Sequence, residues 1–140
     1  MNREIKFRGK SLEDGEWIYG YYGYKELTDE HFIIVPTFDN HSSYRPQYFM
    51  DNLVDGESVG QHIGLFDKNN VGIYDGDILS CTNEKNSNSK WVSVVRFKDG
   101  SFVSVNIESD LYSHFDDWRY PDVKFEVIGN IYENKPLLNE

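Results

Sequence analysis

Alanine is absent from this chain of 140 residues. Alanine is the strongest helix former, and its place is taken by Val, Ile, Thr, Tyr and Phe, which suit a pleated, half-buried surface. Cysteine occurs once, at Cys81. An intrachain disulfide is therefore excluded, which agrees with a reducing compartment. No apolar run approaches the length that spans a bilayer, and the N-terminal Met1-Asn2-Arg3-Glu4-Ile5-Lys6-Phe7-Arg8 lacks the apolar core of a signal peptide. The expectation is a cytoplasmic protein without membrane association. Basic residues are also scarce: 14 Lys and Arg face 24 Asp and Glu, for a net charge of −10. A protein that grips nucleic acid by charge normally carries a basic surplus.

What is abundant is aromatic. Ten Tyr, nine Phe and three Trp make up 16% of the residues, and such side chains bury large areas within a modest hydrophobic total. The length suits one domain over residues 1–140 with its own core. Together these features predict a mainly β protein, a small barrel or sandwich with one or two short helices.

Local patterns divide the chain. Glu4–Arg8 alternates polar and apolar, placing Ile5 and Phe7 inward and Lys6, Arg8 and Lys10 on the other face. Trp17–Tyr22 resumes after the turn Glu13-Asp14-Gly15-Glu16, so residues 4–22 read as a hairpin. Phe32–Val35 reads as a buried strand ending at Pro36, and Thr37–Pro46 as an exposed loop. Gln47–Val54 fits a helical turn or a strand. Ile73–Tyr74 and Ile78–Cys81 read as strands around the turn Asp75-Gly76-Asp77. Thr82–Lys90 is polar throughout and reads as a loop. Asp99-Gly100 signals a two-residue type I′ hairpin, which sets Lys98 opposite Ser101, Phe97 opposite Phe102 and Val94 opposite Val105. Both faces of that hairpin carry apolar residues, so it belongs in the centre of a sheet. Glu108–Trp118 is the best helix candidate, with Leu111, Phe115 and Trp118 at helical spacing and Pro121 as its limit. Val123–Tyr132 is a last strand with a bulge near Gly129-Asn130.

Four stretches stand in order along the chain: Arg3–Lys10 with Gly15–Gly20, Glu57–Gly64, Leu65–Leu79, and Phe125–Asn134. Together they resemble the YopX family of phage and prophage proteins. The resemblance implies a β-rich domain of phage or prophage origin and brings no established catalytic residues. Asn70 stands where the family usually has Gly, Ser58 where it often has Thr, and His62 where it has an aromatic residue or Gln. Asn tolerates the left-handed conformation, so the turn at Asn70 should survive.

Candidate chemistry is sparse. Asp67, Asn69 and Gly72 imitate the start of a calcium loop, but Val71 and Ile78 occupy positions that need oxygen ligands. Asp67 then serves its own turn. Asp75 and Asp77 suit a tight turn as well as an acid–base pair. His114 with Asp116 and Asp117 would diverge on a helix. His31, His41, His62 and His114 show no zinc spacing, and Cys81 reads as a small buried residue. No cofactor or metal is expected. The preferred reading is a non-catalytic module that binds a protein partner or forms a homo-oligomer. The first alternative is nucleic-acid binding through Lys6, Arg8, Lys10, Trp17 and Tyr19, since residues 1–10 carry a local charge of +3 and leave −13 on the rest. The second is an enzyme with an unrecognised carboxylate site.

Overall fold

The computed structural model describes residues 5–37, 48–115 and 122–138. It is mainly β and antiparallel, with strands β1 (Phe7–Lys10), β2 (Trp17–Lys25), β3 (Glu30–Thr37), β4 (Tyr48–Val54), β5 (Gly60–Phe66), β6 (Gly72–Tyr74), β7 (Asp77–Asn83), β8 (Asn86–Lys98), β9 (Ser101–Asn106), β10 (Tyr112–His114) and β11 (Val123–Asn130). The chain packs as two compact units, Met1–His62 and Ile63–Glu140.

In the first unit the strands lie in the order β4-β3-β2-β1-β5. β1 and β2 form the expected hairpin, with Arg8 opposite Tyr19 and Lys10 opposite Trp17. Ile33 and Val54 are its most buried apolar residues, at 0% and 2% exposure. Gly9 is needed beneath them, because a Cβ there would meet Val54 Cγ2 at 2.9 Å. The inward assignment of Ile5 is corrected: it is 39% exposed, while Arg8 of the supposed outer face is 8% exposed. β3 runs through the expected stop at Pro36 and continues to Thr37, two residues beyond Val35. Gln47–Val54 resolves as strand β4, paired with β3 from Thr37↔Tyr48 to His31↔Val54. The loop expected between them, with His41, lies outside the described residues from position 38 to 47.

In the second unit the end of β5 neighbours β6, and five strands lie in the order β10-β9-β8-β7-β11. This order has two ends, so the barrel alternative is corrected: the strands do not close on themselves. The core joins Ile63, Ile73, Leu79, Cys81, Val95 and Val123. The β8–β9 hairpin has the expected register, Lys98↔Ser101, Phe97↔Phe102 and Val94↔Val105. Its turn residues Asp99 and Gly100 have φ of 52° and 89°, as type I′ requires. Val103 on one face and Val95 on the other are both fully buried, and β7 and β10 flank the pair.

Two expectations fail here. Thr82–Lys90 is not a loop: β7 and β8 run through it and pair from Thr82↔Lys90 to Asn83↔Asn86. The helix over Glu108–Trp118 is replaced by a β9–β10 turn. Asn106 Oδ1 accepts from the Glu108 and Ser109 amides at 2.8 and 3.3 Å, and Ser109 Oγ accepts from the Leu111 amide at 3.3 Å. Asp110 sits at φ 62°. Short polar side chains that bond nearby backbone compete with helix in this way, and a left-handed residue ends it. Asp116, Asp117 and Trp118 lie outside the described residues. Gly56–Ser58 and Lys135–Leu138 are short 3-10 turns. β11 carries its irregularity between Val127 and Gly129.

Asn70 adopts φ 64°, the conformation in which glycine carries no Cβ penalty. Asn70→Gly should therefore be nearly neutral, within about 0.5 kcal/mol, whereas Asn70→Val should cost about 1–2 kcal/mol. Urea midpoints of the two variants check this, and equal losses in both would refute it.

Candidate functional site

The stretches that carry the family resemblance are built mainly to close backbone corners. Ser58 Oγ donates to the Asp55 carbonyl at 2.6 Å and accepts from the Lys10 amide at 2.8 Å, tying the 3-10 turn to β1. A threonine hydroxyl can make the same pair of bonds. Asp67 is 8% exposed. Its Oδ1 accepts from the Asn69 and Val71 amides at 2.8 and 2.9 Å, and its Oδ2 from the Val127 amide of β11 at 2.9 Å. The expected turn role of Asp67 is thus joined by a tertiary one. Asp77, 1% exposed, accepts from the Tyr74 amide at 2.8 Å. Near the C-terminal end, Asn130 Oδ1 accepts from the Tyr132 and Glu133 amides, and Asn134 Oδ1 from the Asn130 amide at 3.0 Å. Gly129 leaves room for Asn134, whose Oδ1 would lie 2.6 Å from a Cβ there.

Cys81 is fully buried beside Ser93 and Ser104. Ser104 Oγ donates to Ser93 Oγ at 2.6 Å, and Ser93 Oγ lies 3.4 Å from Cys81 Sγ. Burial pushes the thiol up to about 11, so thiolate is scarce at neutral pH. His114 is exposed on β10, with Nδ1 3.3 Å from Ser101 Oγ, whereas Asp77 is committed to its buried turn.

The candidate nucleic-acid residues do share one face of the β1–β2 hairpin. Lys6 Nζ lies 5.6 Å from the centroid of the Tyr19 ring. Arg8 Cζ lies 4.6 Å and Lys10 Nζ 5.5 Å from that of Trp17. The cations therefore sit on the aromatic rings a base would stack against, and Arg8 is buried in doing so.

The opposite face carries a second arrangement, which the sequence did not reveal. Tyr22 and Tyr24 flank the ring of His31, with centroids 5.9 and 4.7 Å away. Tyr22 Oη lies 2.6 Å from His31 Nδ1, Tyr24 Oη donates to Asp29 Oδ1 at 2.6 Å, and His31 Nε2 lies 4.0 Å from that same oxygen. The Tyr22 phenol is shifted upward, first by burial and then by the charge of Asp29. The Tyr24 phenol is shifted upward too, first by its bond to Asp29. His31 also borders an open pocket of about 430 Å³ with Leu12, Leu53, Asp55 and Glu57. Its residues come from the β1–β2 turn, the start of β3, the end of β4 and the 3-10 turn, so no contiguous motif announces it. No group of three or more His, Cys, Asp or Glu that could hold a metal ion occurs among the described residues. No helix among them is long and apolar enough to cross a membrane.

These features define a class: a small antiparallel β protein whose recurrent polar residues shape turns and whose first unit displays aromatic side chains. The chain matches the family described as YopX protein over residues 6–139, and it belongs to the YopX family. Its fold is similar to the crystal structure of protein EF1440 from Enterococcus faecalis, with a TM-score of 0.56 and 22% identity over 98% of this chain and 99% of that one. No curated protein matches the chain.

Proposed function

We propose that this YopX-family member is a phage or prophage accessory protein that acts by binding other proteins. The observation that carries the reading is the display of tyrosines on both faces of β2, Tyr19 and Tyr21 on one and Tyr22 and Tyr24 on the other. Tyr19, Tyr21, Tyr22 and Tyr24 are 43%, 55%, 37% and 50% exposed, on a strand held from both sides by β1 and β3. Tyrosine offers a large, stiff, amphipathic contact area and is enriched among residues that dominate binding energy. Held on a central strand, these rings are already placed, so little ordering entropy is spent on docking. Self-association through the same rings is a form of this reading in which the partner is a second copy.

The test is quantitative affinity capture from bacterial cells carrying the prophage, with the wild type and a Tyr19→Ser/Tyr21→Ser variant as baits. A partner whose recovery falls about tenfold or more with the variant is expected. Equal recovery of every captured protein by both baits, together with a monomeric mass in light scattering at high concentration, would sink the reading.

A further inference from the structure

Beside Tyr22 and Tyr24, the pocket next to His31 has a composition that specifies its occupant. Leu12, Leu53 and Val54 make it apolar, and Asp29, Glu30, Asp55 and Glu57 bring four carboxylates to it. Leu12 and Leu53 are 60% and 36% exposed, so apolar surface stands open to water inside an acidic border. Lys25 is registered across from Glu30. The imidazole of His31 forms a flat side, held in place by Tyr22 and Tyr24. Gly56 lies so close to that ring that any Cβ would displace it. The 3-10 turn bearing Glu57 is fixed in turn, because Asp55 Oδ1 accepts from the Glu57 amide at 3.0 Å.

An apolar stem ending in a cation matches this combination. The methylenes of arginine or lysine lie along apolar surface while the charged head stays near water and carboxylates. We infer that the pocket receives a basic side chain from an extended segment of a partner protein. This deepens the protein-binding reading and rests on it. It assigns the partner a positive charge, the complement of a chain at −10, and complementary charge chiefly sets encounter rate and selectivity. A nucleic acid is excluded by the sign of the pocket. A single side chain in so open a site binds weakly, so the full affinity must come from neighbouring contacts such as Tyr22 and Tyr24.

The experiment is a titration of the isotopically labelled full chain with acetyl-Gly-Arg-Gly-Arg-Gly-amide, followed by amide shifts in two-dimensional NMR. The glutamine-for-arginine and glutamate-for-arginine peptides serve as controls. Shifts concentrated at His31, Leu53 and Gly56 are expected with the arginine peptide alone. Glu30→Gln/Glu57→Gln, two isosteric surface changes, should weaken them about tenfold, since each exposed ion pair is worth a few-fold. Equal shifts from a control peptide, shifts located at Lys6–Lys10 instead, no shifts, or an unchanged response in the double variant would each overturn the inference. Concentration-dependent shifts at the same amides without peptide would assign the pocket to a second copy and overturn it too. The double variant also serves as a capture bait. If it retains every partner of the wild type, the pocket assignment falls while the protein-binding reading stands. If the wild type itself shows neither partner nor self-association, both fall.

Discussion

Asp67→Asn should cost about 2 kcal/mol of stability and Asp67→Ala about 3 kcal/mol, scaled from buried hydrogen bonds to a charged acceptor and the cost of orphaned donors. The carboxylate accepts three backbone N–H groups. Two belong to its own turn, where water can partly replace it. The third belongs to Val127, sixty residues away in sequence, and Val127 packs against the core of the second unit. Asparagine can still accept from Asn69 and Val71 through its remaining oxygen, but its amide nitrogen then confronts the Val127 N–H donor to donor. A near-isosteric change is thus predicted to be costly, which a purely steric role would not produce. Urea unfolding at neutral pH measures it, and matching midpoints for wild type and Asp67→Asn would refute it.

The same bonds set a pH dependence. Burial, the largest single influence on Asp67, pushes its carboxyl upward, but the Val127, Val71 and Asn69 amides and the charge of Lys68 together bring it below its ordinary 3.8. A carboxyl depressed in the folded state adds stability above its unfolded value and loses it as pH falls through the folded one. The gap between wild type and Asp67→Asn should stay level at neutral and mildly acid pH and begin to shrink below about pH 4. A gap that widens on acidification would contradict the assignment.

How much of this was legible in the sequence depended on whether the signal was local. Asp99-Gly100 admits few hairpin geometries, and from it the register of β8 and β9 followed residue by residue. Asn70 was readable for the same reason, because φ is a property of one residue. The polar run Thr82–Lys90 misled because composition reports solvent exposure, and an exposed strand end is as polar as a loop. The helix over Glu108–Trp118 misled because Ser109, a residue that suits a helix cap, instead joins Asn106 in holding the backbone in a turn. Leu111 is in fact 73% exposed, so no apolar stripe was available to dock a helix. Alternation along Glu4–Arg8 put Lys6, Arg8 and Lys10 on one face, and the register of β1 with β2 sets Tyr19 and Trp17 opposite Arg8 and Lys10. Alternation could not show that Arg8 would be covered, since that depends on which neighbours close over the strand. The His31 pocket was illegible because it is assembled from segments that meet only after β2, β3 and β4 pair.

Arg8 supplies the other large expected effect. Arg8→Ala should destabilise the protein by about 2–3 kcal/mol, combining a desolvated cation–aromatic contact with the packing of its buried stem. Lys10→Ala, on the same Trp17 ring but less buried, should cost less than about 1 kcal/mol. Arg8→Met keeps the stem without the charge and should fall between the alanine variant and wild type, in denaturant midpoints measured side by side. Equal midpoints for wild type and Arg8→Ala would remove the structural role. This ordering bears directly on the nucleic-acid reading. A variant that removes Lys6, Arg8 and Lys10 together would lose binding simply by losing its hairpin. Lys6→Ala/Lys10→Ala leaves Arg8 on Trp17, so it separates charge at the surface from the integrity of β1 and β2. With the Trp17 ring engaged by Arg8 and ten net negative charges on the chain, single-stranded oligonucleotides should show no salt-dependent mobility shift with either wild type or this double variant. A shift at low salt that the double variant abolishes, with its unfolding midpoint preserved, would instead give the hairpin face to nucleic acid.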